Sequence, residues 1–280
     1  MMHFPKESGF KSLGLVAGGG NFPILCAEEA KKKGYRVVAV AHTGETDKAL
    51  EELADRIIWV HLGQLNKLID FLKTNDTRHV IFAGTITKKR IFFDVRPDMR
   101  ALGLWRRMDN RLDDRLLRAI ASELESEGIQ VLSSTLFLTQ LSMPDGCITI
   151  KKPSPEQEED IRFGVAIAKE IGRLDIGQCI VVKDKTVLAV EAIEGTDQTI
   201  LRGGKLGGPG SVVIKICKPG QDTRFDLPSV GLKTLQTMAE VRAEILAVEA
   251  GNALLFDMPD TVEFANKHQI AIIGIKNGIH

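Results

Sequence analysis

Apolar runs and amphipathic stretches alternate from the start of the chain. Ser12–Val16 is a short apolar run that ends in Ala17-Gly18-Gly19-Gly20. A helical pattern follows from Phe22 to Lys33, with Ile24, Leu25, Ala27 and Ala30 at the inner positions and Gly34 as its C-cap. Arg36–Ala41 is a second apolar run, so the chain opens with strand, glycine turn, helix and strand, the start of a parallel α/β domain. The alternation predicts strands at Arg56–Val60, His79–Ala83 and Gln130–Ser133 and helices at Gln64–Thr74 and Asp113–Glu127. Right-handed crossovers would make these one doubly wound, Rossmann-like sheet.

Near Ser134–Leu141 the rhythm changes, and Pro144-Asp145-Gly146 reads as a turn. The boundary divides the chain into a Rossmann-like domain, 1–135, and a mixed α/β domain of unusual topology, 136–280. The second half predicts a helix at Pro155–Ile171, a hairpin of Gln178–Lys183 and Thr186–Val190 around Asp184-Lys185, and a short helix after Asp197. Leu206–Gly210, rich in glycine, reads as a flexible loop suited to a lid. Strands are expected at Ser211–Ile216, Glu244–Val248, Ala253–Phe256 and Ala271–Ile275, with helices at Gly231–Val241 and Thr261–His268.

Length and charge narrow the function. The 280 residues suffice for two ordinary domains. Lys+Arg and Asp+Glu are both 37, and the zero net charge argues against nucleic acid as the main partner. Aromatic residues are 5%, too sparse for base-stacking platforms. Cys26, Cys147, Cys179 and Cys217 form no Cys-x-x-Cys pair and have no histidine cluster, which suggests reduced cytosolic thiols and no structural zinc. Met1–Phe10 has no apolar core of signal-peptide length, and no apolar run reaches the roughly 18 residues of a spanning helix. Any membrane role would then be peripheral.

The densest chemistry lies in Lys215–Thr234, KICKPGQDTRFDLPSVGLKT. It sets Gln221, Asp222 and Asp226 among Lys215, Lys218, Arg224 and Lys233, between the breaks Pro219-Gly220 and Leu227-Pro228. If Asp222 to Asp226 is extended, the period of two points Asp222, Arg224 and Asp226 one way. Two carboxylates flanking an arginine suit a divalent cation and the phosphates it carries, and a solvated charged loop is the rival reading. Asp175-Ile-Gly-Gln178 and Glu194-Gly195-Thr196-Asp197 each join carboxylate or amide groups to a glycine. Thr196 or Asp197 reads as a helix N-cap, and the same amides suit a phosphate.

Gly18-Gly19-Gly20 invites a nucleotide, as a phosphate-contacting turn or a merely tight one. The dinucleotide fingerprint is incomplete: Pro23 stands at the third glycine position, and no acidic residue ends the second strand to hold a ribose. Lys88, Lys89 and Arg90 follow the fourth strand, then Arg96, Arg100, Arg106, Arg107 and Arg111; they would draw an anionic substrate or lipid headgroups, or form a solvated segment. No serine-nucleophile elbow or metal-spaced histidines appear, so carboxylate-plus-metal chemistry remains.

These pieces carry a resemblance. Gly14-Leu-Val-Ala-Gly-Gly-Gly20, Asp175-Ile-Gly-Gln178 and Ala189-Val-Glu-Ala-Ile-Glu-Gly-Thr-Asp197 match a known pattern. So do Lys218-Pro-Gly-Gln-Asp-Thr-Arg-Phe-Asp-Leu-Pro228 with Gly231 and Thr234, Val248-Glu-Ala-Gly251 and Ile272-Ile-Gly-Ile275. Over essentially its whole length the chain resembles the LpxI-type UDP-2,3-diacylglucosamine pyrophosphatases. The resemblance implies hydrolysis of the pyrophosphate bond of UDP-2,3-diacylglucosamine to 2,3-diacylglucosamine 1-phosphate (lipid X) and UMP, in lipid A biosynthesis of Gram-negative bacteria. It implies Mg²⁺ or a similar divalent cation, and a substrate lying between a Rossmann-like domain and a C-terminal domain of unusual fold. Asp226 falls at the family's essential aspartate. By extension Asp226 and Asp222 are the expected metal ligands, with Arg224 catalytic beside them. Gly18, Gly19, Gly20, Asp175, Gln178, Glu194, Gly195, Thr196, Asp197, Lys215, Lys218, Gln221 and Thr234 are the expected substrate contacts. A cytoplasmic protein, peripheral on the inner face of the inner membrane, follows from a hydrophobic substrate and no anchor, and a homodimer is left open. The rival functions are a non-catalytic nucleotide-sugar or lipid carrier using the interdomain cleft, and a nicotinamide-dependent oxidoreductase.

Overall fold

The computed structural model describes residues 12–86, 95–106, 113–225 and 227–276. It divides into two compact units, 1–139 with 222–226, and 140–221 with 227–280.

In the first unit the two leading apolar runs are strands β1 (Ser12–Ala17) and β2 (Arg36–His42), joined by helix α1 (Phe22–Lys32). Short α2 (Leu50–Leu53), β3 (Arg56–Val60), α3 (Leu65–Thr74) and β4 (His79–Ala83) follow. Then come α4 (Met99–Arg106), α5 (Asp113–Ser126) and β5 (Gln130–Val131). The strands form one sheet, ordered β3-β2-β1-β4-β5 and parallel throughout. Val37 to Ala41 are completely buried, as expected of a strand covered on both faces. The order reverses between β1 and β4, which makes their carboxyl ends the topological switch point where such sheets take ligands.

The second unit contains β6 (Gly146–Cys147), α6 (Pro155–Arg173), β7 (Cys179–Lys183), β8 (Thr186–Val190), α7 (Thr196–Gly207) and β9 (Val212–Lys215). It continues with β10 (Ser229–Val230), α8 (Leu232–Glu240), β11 (Ile245–Glu249), β12 (Leu254–Leu255), α9 (Met258–Lys267) and β13 (Ala271–Ile275). Its sheet runs β6-β13-β11-β9-β7-β8, with β13, β11 and β9 parallel and β6, β7 and β8 antiparallel to their neighbours. Strands β10 and β12 pair separately. Local chemistry explains several joints. Ser154 and Gln157 form a capping box at the start of α6. Buried Asp160 accepts the amides of Asp184 and Lys185, both at positive φ, and so fixes the β7–β8 turn.

Two expectations change here. The arginine-rich segment after the fourth strand, for which no element is expected, contains α4. The proposed lid begins inside a helix: α7 runs through Leu206 and Gly207 and ends at Gly208, φ +63°. Its glycines allow close packing, since a Cβ at Gly203 would meet Val181 at 2.5 Å and one at Gly204 would meet Val241 at 2.2 Å.

Candidate active site

The second unit gathers six of the sequence-predicted residues around one open polar cup. Glu194, Gly195, Thr196, Asp197, Lys215 and Thr234 line it, with Gln198 and Ser229, and its volume is about 440 Å³. Gly195, at φ +82°, is the N-cap of α7 and supplies no capping side chain, so the first turn of that helix opens on the cup. Orphan amides and the positive end of the helix dipole favour an anion there.

Lys215 ends β9 and is only 7% exposed. Its Nζ donates to the Ser229 carbonyl at 2.8 Å, which uses one of three donors. Among the described residues no carboxylate lies within ion-pair distance of it. The cup's own carboxylates are neutralised outward, Glu194 by Arg202 at 2.5 Å and Asp197 by Lys233 at 2.8 Å. The Glu194 carboxyl is held below its ordinary range by its own backbone amide and Arg202. What remains uncompensated is a buried ammonium beside a helix N-terminus, a cradle for a phosphate.

Sequence reasoning missed the residue that ties this cup together. Buried Glu191 accepts Thr196 Oγ1 at 2.8 Å through one oxygen and the Gln178 amide at 3.1 Å through the other. Burial, and then Glu191, push the Cys179 thiol up to about 12, so it stays protonated and is no nucleophile. Gln178 Oε1 is buried with no hydrogen-bond partner among the described residues. Asp175, at φ +56°, pairs with Lys218 at 2.6 Å. Gln221 Oε1 accepts the Lys218 amide at 2.9 Å and closes the Lys218–Gln221 turn, in which Gly220 has φ +79°. Buried Glu249 accepts the Cys217 amide at 3.0 Å, which gives the Val248–Gly251 motif its role of anchoring the loop after β9.

The Asp222–Phe225 segment belongs to the first unit. It is a turn and not extended, because the Phe225 amide donates to the Asp222 carbonyl at 3.1 Å. Asp222 and Arg224 do meet: Arg224 donates from Nε at 3.0 Å and Nη2 at 2.8 Å, and its own amide reaches the same carboxylate at 3.1 Å. The guanidinium holds the Asp222 carboxyl below its usual range. Nη1 donates to Glu125 at 2.7 Å. Asp222 thus has little lone-pair capacity left for a cation, and Arg224 carries two carboxylates and no surplus charge; the pair clamps a turn. Asp226 lies outside the described residues, as do Lys88, Lys89, Arg90, Arg107 and Arg111. No group of three His, Cys, Asp or Glu suited to a metal gathers among the described residues.

At the first unit's switch point the glycine turn is closed. Gly18 N donates to Ala83 O at 2.8 Å and Gly19 N to Thr85 O at 2.7 Å. A Cβ at Gly18 would lie 2.5 Å from Thr85 O. The two amides expected to contact phosphate are spent on the β4 connection, and the glycines serve close backbone approach; Gly20, at φ +84°, is exposed. Beside the turn lies an apolar cavity of about 380 Å³, lined by Val16, Leu68, Phe82, Leu104, Trp105 and Phe225 among others. His42 is on its wall, with Nδ1 2.9 Å from Ala17 O, and burial lowers its pKa.

The family profile of the LpxI N-terminal domain matches residues 12–141, and that of the LpxI C-terminal domain matches residues 144–273. The chain is 31% identical over 278 residues to the UDP-2,3-diacylglucosamine pyrophosphatase LpxI of Caulobacter vibrioides, covering 95% of this chain and 98% of that one. Solved structures are only distantly alike. The ADP complex of the purK N5-carboxyaminoimidazole ribonucleotide synthetase is 16% identical over 74% of this chain, with a TM-score of 0.29. The chain spans 41% of that synthetase's length. Gox2253 is 8% identical over 95% of this chain and 90% of its own, with a TM-score of 0.32. Both halves of the chain match their LpxI counterparts in order, and the protein belongs to the LpxI family.

Proposed function

We propose that the protein hydrolyses the pyrophosphate bond of UDP-2,3-diacylglucosamine, releasing UMP and 2,3-diacylglucosamine 1-phosphate, in the lipid A pathway of a Gram-negative bacterium. The observation that carries the reading is the buried Lys215 ammonium beside the uncapped start of α7, in a chain of the LpxI family. Phosphoanhydride cleavage needs donors fixed in advance where phosphate charge develops. Lys215 and the first-turn amides of α7 take the diphosphate. Glu191 sets Thr196 by accepting a hydrogen bond from its hydroxyl. The apolar cavity of the first unit suits an acyl chain, since most of its wall is aliphatic or aromatic.

Magnesium or a similar divalent cation is part of the proposal; when bound to a diphosphate it neutralises charge and lowers the pKa of a bound water. Asp226 is the residue assigned to it. The described residues do not fit Asp222 as a second ligand, because that carboxylate is occupied by Arg224. No helix among the described residues is long and apolar enough to cross a membrane, and a peripheral position at the inner membrane surface suits a diacylated substrate.

The test is UMP release from UDP-2,3-diacylglucosamine by the purified full chain with Mg²⁺, with Asp226→Ala beside it. Turnover that Asp226→Ala abolishes supports the reading. Undiminished turnover in that variant removes Asp226 from the mechanism. Substrate binding without turnover makes the protein a carrier.

A further inference from the structure

The cavity of the first unit is walled on one side by α4, whose Ala101, Leu104 and Trp105 line it. The opposite stripe of the same helix is open to solvent. Met99 is 80% exposed and Leu102 36% exposed, and among the described residues of the first unit they are the large apolar side chains left in water. Arg96 and Arg106 are exposed at either end of the stripe. The spacing 99, 102, 106 keeps Met99, Leu102 and Arg106 near one line along the helix, and Arg96 precedes it in the lead-in.

The stripe is held rigidly. Asp98 accepts the Ala101 amide at 2.9 Å and the Asn66 amide at 2.6 Å, fixing the start of α4 to the start of α3. Arg100, off the stripe, is neutralised by Glu123 and Glu127. Among the described residues Arg96 and Arg106 make no ion pair. The exposed face therefore shows two apolar side chains between two unopposed cations, a pattern that matches an anionic lipid surface: acyl-depth contact in the middle, headgroup contact at the ends.

We propose that this face of α4, with Arg96, seats the protein on an anionic bilayer, bringing the cavity behind the helix to the surface that holds a diacylated substrate. The proposal rests on the hydrolase reading for its purpose, though not for its test.

The test is co-sedimentation of the full chain with vesicles of phosphatidylcholine alone or of phosphatidylcholine with phosphatidylglycerol. The unsubstituted protein is expected to bind the anionic vesicles and to be released by salt. Each arginine near such a surface contributes about fivefold, so Arg96→Gln with Arg106→Gln weakens binding about 25-fold. Met99→Ser with Leu102→Ser weakens binding at unchanged charge. Leu174→Ser, an exposed apolar residue of the second unit, leaves it unchanged. All variants keep the parent melting temperature and turn over detergent-dispersed UDP-2,3-diacylglucosamine at the parent rate. Failure of the unsubstituted protein to bind anionic vesicles, equal binding by the arginine variant, or an equal loss in Leu174→Ser overturns the proposal. No turnover in detergent by the unsubstituted protein would overturn the hydrolase reading and leave the vesicle result intact.

Discussion

Each unit contains a strand that runs into a glycine and then a helix, and the two joints end differently. After β1, the Gly18 and Gly19 amides bond to Ala83 and Thr85, and no room remains for a side chain or a ligand at Gly18. After β8, Gly195 starts α7 with nothing within 4 Å of its would-be Cβ, and the turn opens on the cup beside Lys215. Glycine thus serves close packing in one place and access in the other. The neighbouring connection decides which: Gly84-Thr85 folds back over the first joint, whereas buried Glu191 draws Thr196 aside at the second.

The largest effect expected from this contrast is on Lys215. Lys215→Met keeps the packing volume and removes the charge, and kcat/KM for UMP release should fall about 10²- to 10³-fold, as for loss of one preorganised phosphate donor. A fall of less than about threefold, with the melting temperature held, would make the cup incidental. Next come the glycines themselves. Gly18→Ala drives a Cβ into the Thr85 carbonyl and should cost roughly 1–3 kcal/mol of stability. Gly195→Ala meets no atom but sits at φ +82°, ψ 170°, a region nearly closed to alanine at a cost of roughly 1–3 kcal/mol. Where both variants are folded, Gly18→Ala should retain kcat/KM and Gly195→Ala should lose it. Equal losses of activity would erase the distinction between the joints.

The parts of the fold set by local pattern were legible in the sequence. The run Arg36–Ala41 and the helix between the first two strands needed only periodicity, and the Asp184-Lys185 hairpin needed only its turn. What escaped depended on distant partners. The acceptors of the Gly18 and Gly19 amides come from another strand, and nothing near Glu191 announces that it bridges Gln178 and Thr196. Helix α4 was hidden by its arginines and by Gly103, although Ala101, Leu104 and Trp105 already stood at helical spacing. The alternating charge of Asp222 to Asp226 would align three side chains only if the segment were extended; the Asp222 side chain turns the chain instead by capping the Arg224 amide. The Leu206–Gly210 glycines suggested mobility, when Gly203 and Gly204 before them already packed α7 against Val181 and Val241.

The closed joint also predicts a pH effect. His42 is bonded to Ala17 O beside the first glycine turn, and burial, its principal perturbation, lowers its pKa. The folded state therefore resists a proton that the unfolded chain accepts near its ordinary value of about 6.5. Stability contributed by the neutral ring is present above that value and falls as pH drops below it, with a slope no steeper than about 1.4 kcal/mol per pH unit. Melting temperatures between about pH 7 and pH 5 should show the decline, and His42→Asn should flatten it. An unchanged slope in the variant would assign the acid sensitivity elsewhere.

The smallest effect concerns what holds the Asp222–Phe225 turn on the first unit. Phe225 packs edge-on against Phe82 at 5.4 Å, and Arg224 bridges Asp222 and Glu125. The Arg224–Glu125 pair is over a third exposed on both sides, and such pairs contribute about 0.2–1 kcal/mol. Glu125→Gln should therefore cost less than about 1 kcal/mol, less than Phe225→Ala, which removes an aromatic contact and part of the cavity wall. The Asp222 carboxyl, lowered by Arg224, contributes stability at pH above the ordinary carboxylate range, lost as pH falls through its depressed folded value. A double-substitution cycle of Glu125→Gln with Asp222→Asn measures how far the two carboxylates share the guanidinium. If Glu125→Gln destabilised the protein more than Phe225→Ala, charge and not packing would hold the turn. The first unit would then depend on electrostatics as the cup of the second does.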